Sequence, residues 1–287
     1  MGLKIWLDDK LVEEADAKIS IFDHGLLYGD GVFEGIRVYN GKIFELQAHI
    51  NRLFDSAKAI RLEVPISKDK LIKAAEKTIE ANGVIDGYIR LVVTRGVGTL
   101  GLNPFICENS KIFIIADNIQ LYPEELYEKG LKVISATVVR NHPLATPPQV
   151  KSLNYLNNIL AKIEALDRNV PEAIMYNHEG YVAEATGDNV FIAKNDLIYT
   201  PPVEAGALEG VTRGVVIKLA KQEKLEVVEK NLTKCDLYTC EEFFLTGTAA
   251  EVIGVVEIDG RIIGDGKPGP YTRLLRKKFF EYAHGKK

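Results

Sequence analysis

The sequence predicts an α+β protein of two lobes, and three observations lead there. Segments of strand period and of helix period both occur, dominated by antiparallel strands and without regular βαβ repetition, so a doubly wound nucleotide fold is disfavoured. Residues 117–129 hold a proline and several acidic side chains and read as a connector. The 287 residues suit two modest domains at about 100–200 residues each. The expected division is a small N-terminal lobe over 1–116, a connector over 117–129 and a larger C-terminal lobe over 130–287.

Taken in order, residues 31–39 alternate, with Val32, Glu34, Ile36 and Val38 on one face and Phe33, Gly35, Arg37 and Tyr39 on the other. Asn40-Gly41 supplies a type I′ hairpin turn. Residues 47–62 change to helical period, with Ile50, Leu53, Phe54, Ala57 and Ile60 on one stripe. A second helix over 67–82 has Ser67 as its N-cap and Gly83 as its stop. Strands follow near 87–95 and 111–117, and the glycine-rich run from Gly96 to Gly101 reads as a mobile loop. After the connector come a strand over 131–139, a loop with Pro143, Pro147 and Pro148, and a helix over 153–168 striped by Leu156, Ile159, Leu160, Ile163 and Leu166. The rest alternates strands with helices near 211–223 and 270–282, with hairpin turns at Glu179-Gly180 and Asp259-Gly260.

Composition narrows the function. The chain is 46% hydrophobic and 26% charged with a net charge of −4, and no basic stripe suggests a nucleic-acid partner. No uncharged apolar run approaches the ~18 residues that span a membrane. The segment around Asp8 and Asp9 is unlike a signal peptide, so the cytoplasm is expected. Cys107, Cys235 and Cys240 form no CxxC pair, and the five histidines lack HxxxH spacing, so neither a disulfide framework nor a metal site is expected. GxSxG, GxxxxGK[ST] and GxGxxG are all missing from the sequence.

Several residues could carry chemistry. Lys151 falls between the proline-rich loop and the start of a helix, where a lowered amine pKa would favour Schiff-base formation. Gly210-Val211-Thr212-Arg213 opens a helix, and free N–H groups with a threonine hydroxyl suit a phosphate. Gly247-Thr248-Ala249-Ala250 follows the strand Phe243-Phe244-Leu245, where small residues admit a ligand close to the backbone. Arg52 lies on the first helix opposite its apolar stripe and would need an anion. Glu184 ends a strand and could hold a protonated ring nitrogen. Tyr88 with Arg90, and Arg37 with Phe33 and Tyr39, form aromatic walls bearing guanidinium groups, suited to a carboxylate with an apolar tail. Read singly, each also has an ordinary structural meaning: surface lysine, helix cap, tight turn, surface charge or core packing.

Together they resemble the class IV pyridoxal-phosphate (PLP) aminotransferases, and the branched-chain amino acid aminotransferases most. The resemblance runs from Asp23-His24-Gly25 to Gly269-Pro270. It is carried by the run from Tyr28 to Arg37, Lys151-Ser152-Leu153-Asn154-Tyr155, Glu184-Ala185-Thr186-Gly187-Asp188-Asn189, Gly210-Val211-Thr212-Arg213 and Gly247-Thr248-Ala249-Ala250-Glu251. It implies a fold-type IV architecture, with a small N-terminal α/β lobe and a larger C-terminal lobe with a β-barrel-like core. Lys151 would carry PLP and shuttle a proton between substrate Cα and cofactor C4′. Glu184 would pair with the pyridine nitrogen. Arg52, Gly210, Val211, Thr212, Gly247 and Thr248 would surround the phosphate, Leu208 would pack on the ring, and Tyr155 would bond the phenolic oxygen. Tyr155 comes four positions after the lysine, where several branched-chain members have five. Tyr88 and the backbone near Thr248-Ala249 would take the substrate α-carboxylate. Tyr28, Arg90 and Tyr122 would take the γ-carboxylate of glutamate, Phe33 would line an apolar pocket, and Arg37 would support this set. The loop around Leu102 would come from a neighbouring subunit, making a homodimer, or a higher oligomer of dimers, the working unit.

The implied reaction is transamination of Leu, Ile and Val with 2-oxoglutarate. The alternatives are a D-amino-acid aminotransferase, an aminodeoxychorismate lyase of the same family, and a cofactor-free relative serving as an interaction module.

Overall fold

The computed structural model describes residues 2–118 and 122–285; the part of the expected connector at 119–121 lies outside them. The chain forms two compact units, one of residues up to 119 with Val150–Asn154, the other of 120–149 with Tyr155–Lys287.

In the first unit the elements are β1 (Lys4–Leu7), β2 (Lys10–Glu13), α1 (His24–Tyr28), β3 (Gly31–Tyr39), β4 (Lys42–Ile43), α2 (Leu46–Ala59), α3 (Lys68–Ala81), β5 (Gly87–Thr94) and β6 (Lys111–Asp117). The strands make an antiparallel sheet in the order β2-β1-β6-β5-β3-β4. Period-two alternation sorts β3 and β5 as the sequence predicts. Val32, Ile36, Val38, Ile89, Leu91 and Val93 pack with Ile50, Leu53 and Ala57 of α2 and Leu71, Ala74 and Ala75 of α3 in one core. Asn40 and Gly41 take the positive φ values, 50° and 72°, that the hairpin turn requires. Ser67 caps α3 by accepting from Lys70 N–H.

The second unit holds α4 (Glu124–Lys129), β7 (Leu131–Ser135), α5 (Leu156–Asp167), β8 (Glu172–Tyr176), β9 (Val182–Ala185), β10 (Asn189–Lys194), β11 (Leu197–Thr200), α6 (Val211–Gln222), β12 (Val227–Glu229), α7 (Lys234–Tyr238), β13 (Glu242–Gly247), β14 (Glu251–Ile258), β15 (Arg261–Ile262) and α8 (Pro270–Ala283). Its sheet runs β12-β11-β10-β13-β14-β7-β8-β9, with β15 against β14. β9 and β10 lie five strand steps apart in that order, about 24 Å if the sheet were flat. Residues 186–188 join them, and so short a link reaches at most ~14 Å. The sheet therefore curls back on itself, giving the barrel-like core that the resemblance implies. Inside it pack Val133, Ile174, Val190, Phe243, Leu245 and Ile253.

Two elements differ from the sequence reading. The strand expected over 131–139 stops at Ser135, because the Glu164 carboxylate accepts from the N–H groups of Thr137 and Val138 and takes them out of the ladder. The helix expected over 153–168 begins at Leu156, and its apolar stripe points outward. Leu156, Ile159, Leu160, Ile163 and Leu166 are 45–67% exposed, while Asn158, Ala161 and Ala165 face inward. The small face of α5 packs with Ile134, Ala173 and Met175, so close approach to the sheet decides which side is buried.

Candidate active site

The first unit places the candidate nucleophile on its sheet. Val150–Asn154 is extended rather than helical and lies along β3: Phe33 N–H donates to Lys151 C=O (3.0 Å) and Leu153 N–H to Gly31 C=O (2.9 Å). Lys151 N–H donates to Ser56 Oγ on α2 (3.1 Å). The helix-terminus argument for Lys151 is thereby corrected. α5 starts five residues later, and a helix dipole acts only over its first turn.

Phe33 connects this amine to the wall that carries Arg90. Lys151 Nζ lies 4.6 Å from the Phe33 ring centroid and Arg90 Cζ 4.5 Å from it. The register sets Gly35 opposite Arg90 and Arg37 opposite Tyr88. A Cβ on Gly35 would stand 1.8 Å from the Tyr88 hydroxyl, so glycine is what lets that ring lie across β3. Arg37 stacks 5.0 Å over Tyr39. Tyr28, at the end of α1, accepts from Gly101 N–H (2.9 Å), which ties the glycine-rich loop to it. Leu102 in that loop is 82% exposed.

Beneath the sheet, Arg52 is turned inward rather than out to solvent. Its Nε and Nη2 donate to the Glu34 carboxylate at 2.8 and 2.7 Å, and His49 Nδ1 meets the same group at 2.7 Å. His49, Arg52 and Ser56 stand at i, i+3 and i+7, forming a polar row beside the apolar stripe of α2, with His49 and Ser56 buried. Glu34 and His49 are both fully buried. Burial favours the neutral acid, but the charge and hydrogen bonds of Arg52, with those of His49, outweigh it and hold the Glu34 pKa at about 2. The His49 pKa is lowered by burial, which outweighs the opposing pull of Glu34; Arg52 and Lys151 lower it further. The imidazole is thus neutral, with Nδ1–H donated to Glu34.

The second unit assembles the other candidates. Glu184, buried on β9, accepts from Leu208 N–H at 2.9 Å and from Arg140 Nη2 at 2.7 Å. Asn189 Nδ2 donates to Leu208 C=O (2.9 Å), and its Oδ1 fills the space beside Gly210. Asp188 Oδ1 sits 1.8 Å from where a Gly247 Cβ would be. The loop after β9 thus gathers Leu208, Gly210 and Gly247 around itself. α6 begins at Val211 after Gly210, whose lack of a side chain leaves the helix without a side-chain cap. Thr212 is 2% exposed and its hydroxyl has no hydrogen-bond partner among the described residues. A buried orphan hydroxyl at an uncapped helix start fits a phosphate acceptor. Thr248 and Ala249 are half-buried in the turn after β13. Tyr155 precedes α5, and its C=O accepts from Ile159 N–H. Tyr122 is buried in the barrel core, edge-on to Tyr127, and burial with Asp188 and Glu172 pushes its hydroxyl pKa up.

Sequence reasoning missed Glu34, His49 and Ser56 in the first unit, and Arg140 with Asn158 in the second. Glu34 had a signal: a lone carboxylate on the Val32-Ile36-Val38 face needs a buried partner. Arg140 had none. Among the described residues no three His, Cys, Asp or Glu side chains group as a metal site, and no helix is long and apolar enough to cross a membrane.

The family description for class IV amino-transferases matches residues 31–258. A putative branched-chain-amino-acid aminotransferase of Methanocaldococcus jannaschii is 52% identical over 277 residues, covering 96% of this chain and 95% of that one. The solved branched-chain amino acid aminotransferase of Escherichia coli superposes with a TM-score of 0.96 at 35% identity, covering 100% of this chain and 96% of that one. The branched-chain amino acid aminotransferase of Thermobaculum terrenum, solved in its PLP form, gives 0.91 at 30% identity, covering 100% of this chain and 95% of that one.

Proposed function

The chain belongs to the class IV aminotransferases, and from that premise we propose that it is a PLP-dependent transaminase moving the amino group of Leu, Ile and Val to 2-oxoglutarate. The observation that carries the substrate class is the Phe33 wall, with the Lys151 amine and the Arg90 guanidinium both within 4.6 Å of one aromatic ring. An apolar tail lies against Phe33 and leaves Arg90 solvated; a glutamate tail pairs with Arg90. One wall can therefore accept both partners of the exchange.

PLP, when bound, supplies an electron sink for the pair released at the substrate Cα. Thr212 Oγ1, the N–H groups of Val211 and Thr212, and Thr248 would hold its phosphate. Leu208 would pack on the ring, Tyr155 would bond the phenolic oxygen and Glu184 would pair with the ring nitrogen. Arg52 would join at the phosphate, and Lys151 would be the anchoring amine. Lys151 Nζ would take the proton from the substrate Cα and deliver it to C4′ of the cofactor. By the resemblance, Tyr88 and the backbone near Ala249 would orient the α-carboxylate, and Tyr28, Arg90 and Tyr122 would take the γ-carboxylate, with Arg37 in support. The proposal includes a cytoplasmic location and a homodimer, the latter supported by the exposure of Leu102 and of the apolar α5 face in a single chain.

The deciding experiment is a panel of half-reactions followed by the absorbance of the bound cofactor. L-Leu, L-Ile, L-Val and L-Glu should each shift the spectrum, and D-Ala should not. Turnover of D-Ala without L-Leu, or pyruvate release from aminodeoxychorismate without an amino acceptor, would replace this reading by one of its relatives. A colourless protein indifferent to added PLP would end it.

Thr212→Val gives a second check. It swaps an orphan hydroxyl for a methyl of equal shape, so the cofactor-free protein should gain about 1 kcal/mol in denaturant unfolding. PLP affinity should fall about tenfold, the loss of one charge-assisted hydrogen bond. Equal PLP affinity in both proteins would remove Thr212 from the phosphate site.

A further inference from the structure

Arg140 belongs to no recognised motif of the sequence, yet its guanidinium is buried and held by four hydrogen bonds. It lies just before the proline-rich loop, 6% exposed. Its Nε donates to Gly206 C=O (3.3 Å), its Nη1 to Asn158 Oδ1 (2.9 Å) and Asn157 Oδ1 (3.2 Å), and its Nη2 to Glu184 Oε1 (2.7 Å). Asn158 is anchored in turn through its Nδ2 to Thr186 C=O (2.8 Å). Glu184 Oε2 already accepts from Leu208 N–H. A carboxylate offers about four lone-pair sites, so Glu184 can still accept one further donor with both oxygens fixed.

Resting on the assignment of Glu184 to the ring nitrogen, we propose that Arg140 is a positioning residue that decides where the proton shared by Glu184 and that nitrogen resides. The Arg140 guanidinium, 2.7 Å from Glu184 Oε1, is the fixed counter-charge of that carboxylate, and with it in place the proton stays on nitrogen. The ring then bears the positive charge that makes it a strong electron acceptor. Arg140 acts through Glu184 alone and touches neither substrate nor the reacting carbon.

The test loads wild type and Arg140→Gln with PLP labelled with 15N at the ring nitrogen and reads its chemical shift. Wild type should resonate as a pyridinium and Arg140→Gln should move toward neutral pyridine. The kcat for L-Leu should fall about tenfold, the effect of one unit in proton affinity, with KM unchanged. If Arg140→Gln does not fold, Asn158→Ala, which loosens Arg140 and leaves both charges, should move the resonance in the same direction by a smaller amount. A folded variant with the wild-type shift, or a wild type that already resonates as neutral pyridine, overturns the proposal. Failure of wild type to take up PLP or to respond to L-Leu would instead strike the transaminase reading itself.

Discussion

Lys151→Ala is expected to lower kcat for L-Leu by at least about 10⁴-fold and to abolish the absorbance response to L-Leu and L-Glu, with thermal stability close to wild type. One side chain is assigned two roles, anchoring the cofactor and carrying the Cα proton, so its loss cannot be compensated by the groups that hold the phosphate. Stability should survive because the segment is held by its backbone. Lys151 N–H donates to Ser56, Lys151 C=O accepts from Phe33 N–H, and Leu153 bonds Gly31. None of these involves the amine. Stopped-flow absorbance and a melting curve on the same sample separate the two effects. Retained transamination above background would remove Lys151 from its role.

Glu34→Gln should produce the largest loss of stability, about 3–5 kcal/mol, the usual cost of breaking a buried ion pair from one side. Glu34 is fully buried and holds both the Arg52 fork and His49. An amide leaves the guanidinium without its counter-charge and presents an NH₂ where only acceptors fit. Acid titration gives the matching signature. Glu34 has its pKa depressed from 4.5 to about 2, so its contribution is fully present above pH 4.5 and is lost as pH falls toward 2. That loss is on the order of 3 kcal/mol. His49 is also depressed, from 6.5, so the unfolded chain binds its proton first and stability begins to fall as pH drops below 6.5. Urea unfolding between pH 7 and 2.5 should show both phases in wild type, with the lower one reduced in Glu34→Gln to what Glu164, Asp236 and Asp259, also depressed, contribute. Equal midpoints for the two proteins at pH 7 would contradict the ion-pair account.

Much of this was legible in the sequence because it depends on local period and turn chemistry. The faces of β3, the Asn40-Gly41 turn, the Ser67 cap and the Gly210 helix start are decisions made within a few residues. The outward stripe of α5 was not legible. Periodicity identifies an apolar face but not whether the chain or something else covers it, and the alanine face packs closer to the sheet. Arg140 pairs with Glu184 across 44 positions of sequence, and only the sheet order brings them together. Arg52 was found, and its need for an anion with it, but not which anion it meets. Its partner Glu34 was visible on the strand, yet nothing local says that a helix will deliver a guanidinium to it.

The backbone pairing of Val150–Asn154 to β3 has a consequence for how such a protein can change its diet. Main-chain atoms set the distance from the Lys151 backbone to the strand. The substrate preference proposed for this wall rests instead on side chains, at Phe33 of that strand and Arg90 of its neighbour. On that proposal, mutation can rewrite preference at these positions while the lysine keeps its place. Drift in specificity and preservation of chemistry are thereby separated, and a lineage built on this arrangement can explore new amino acids without first losing the ability to react with the old ones.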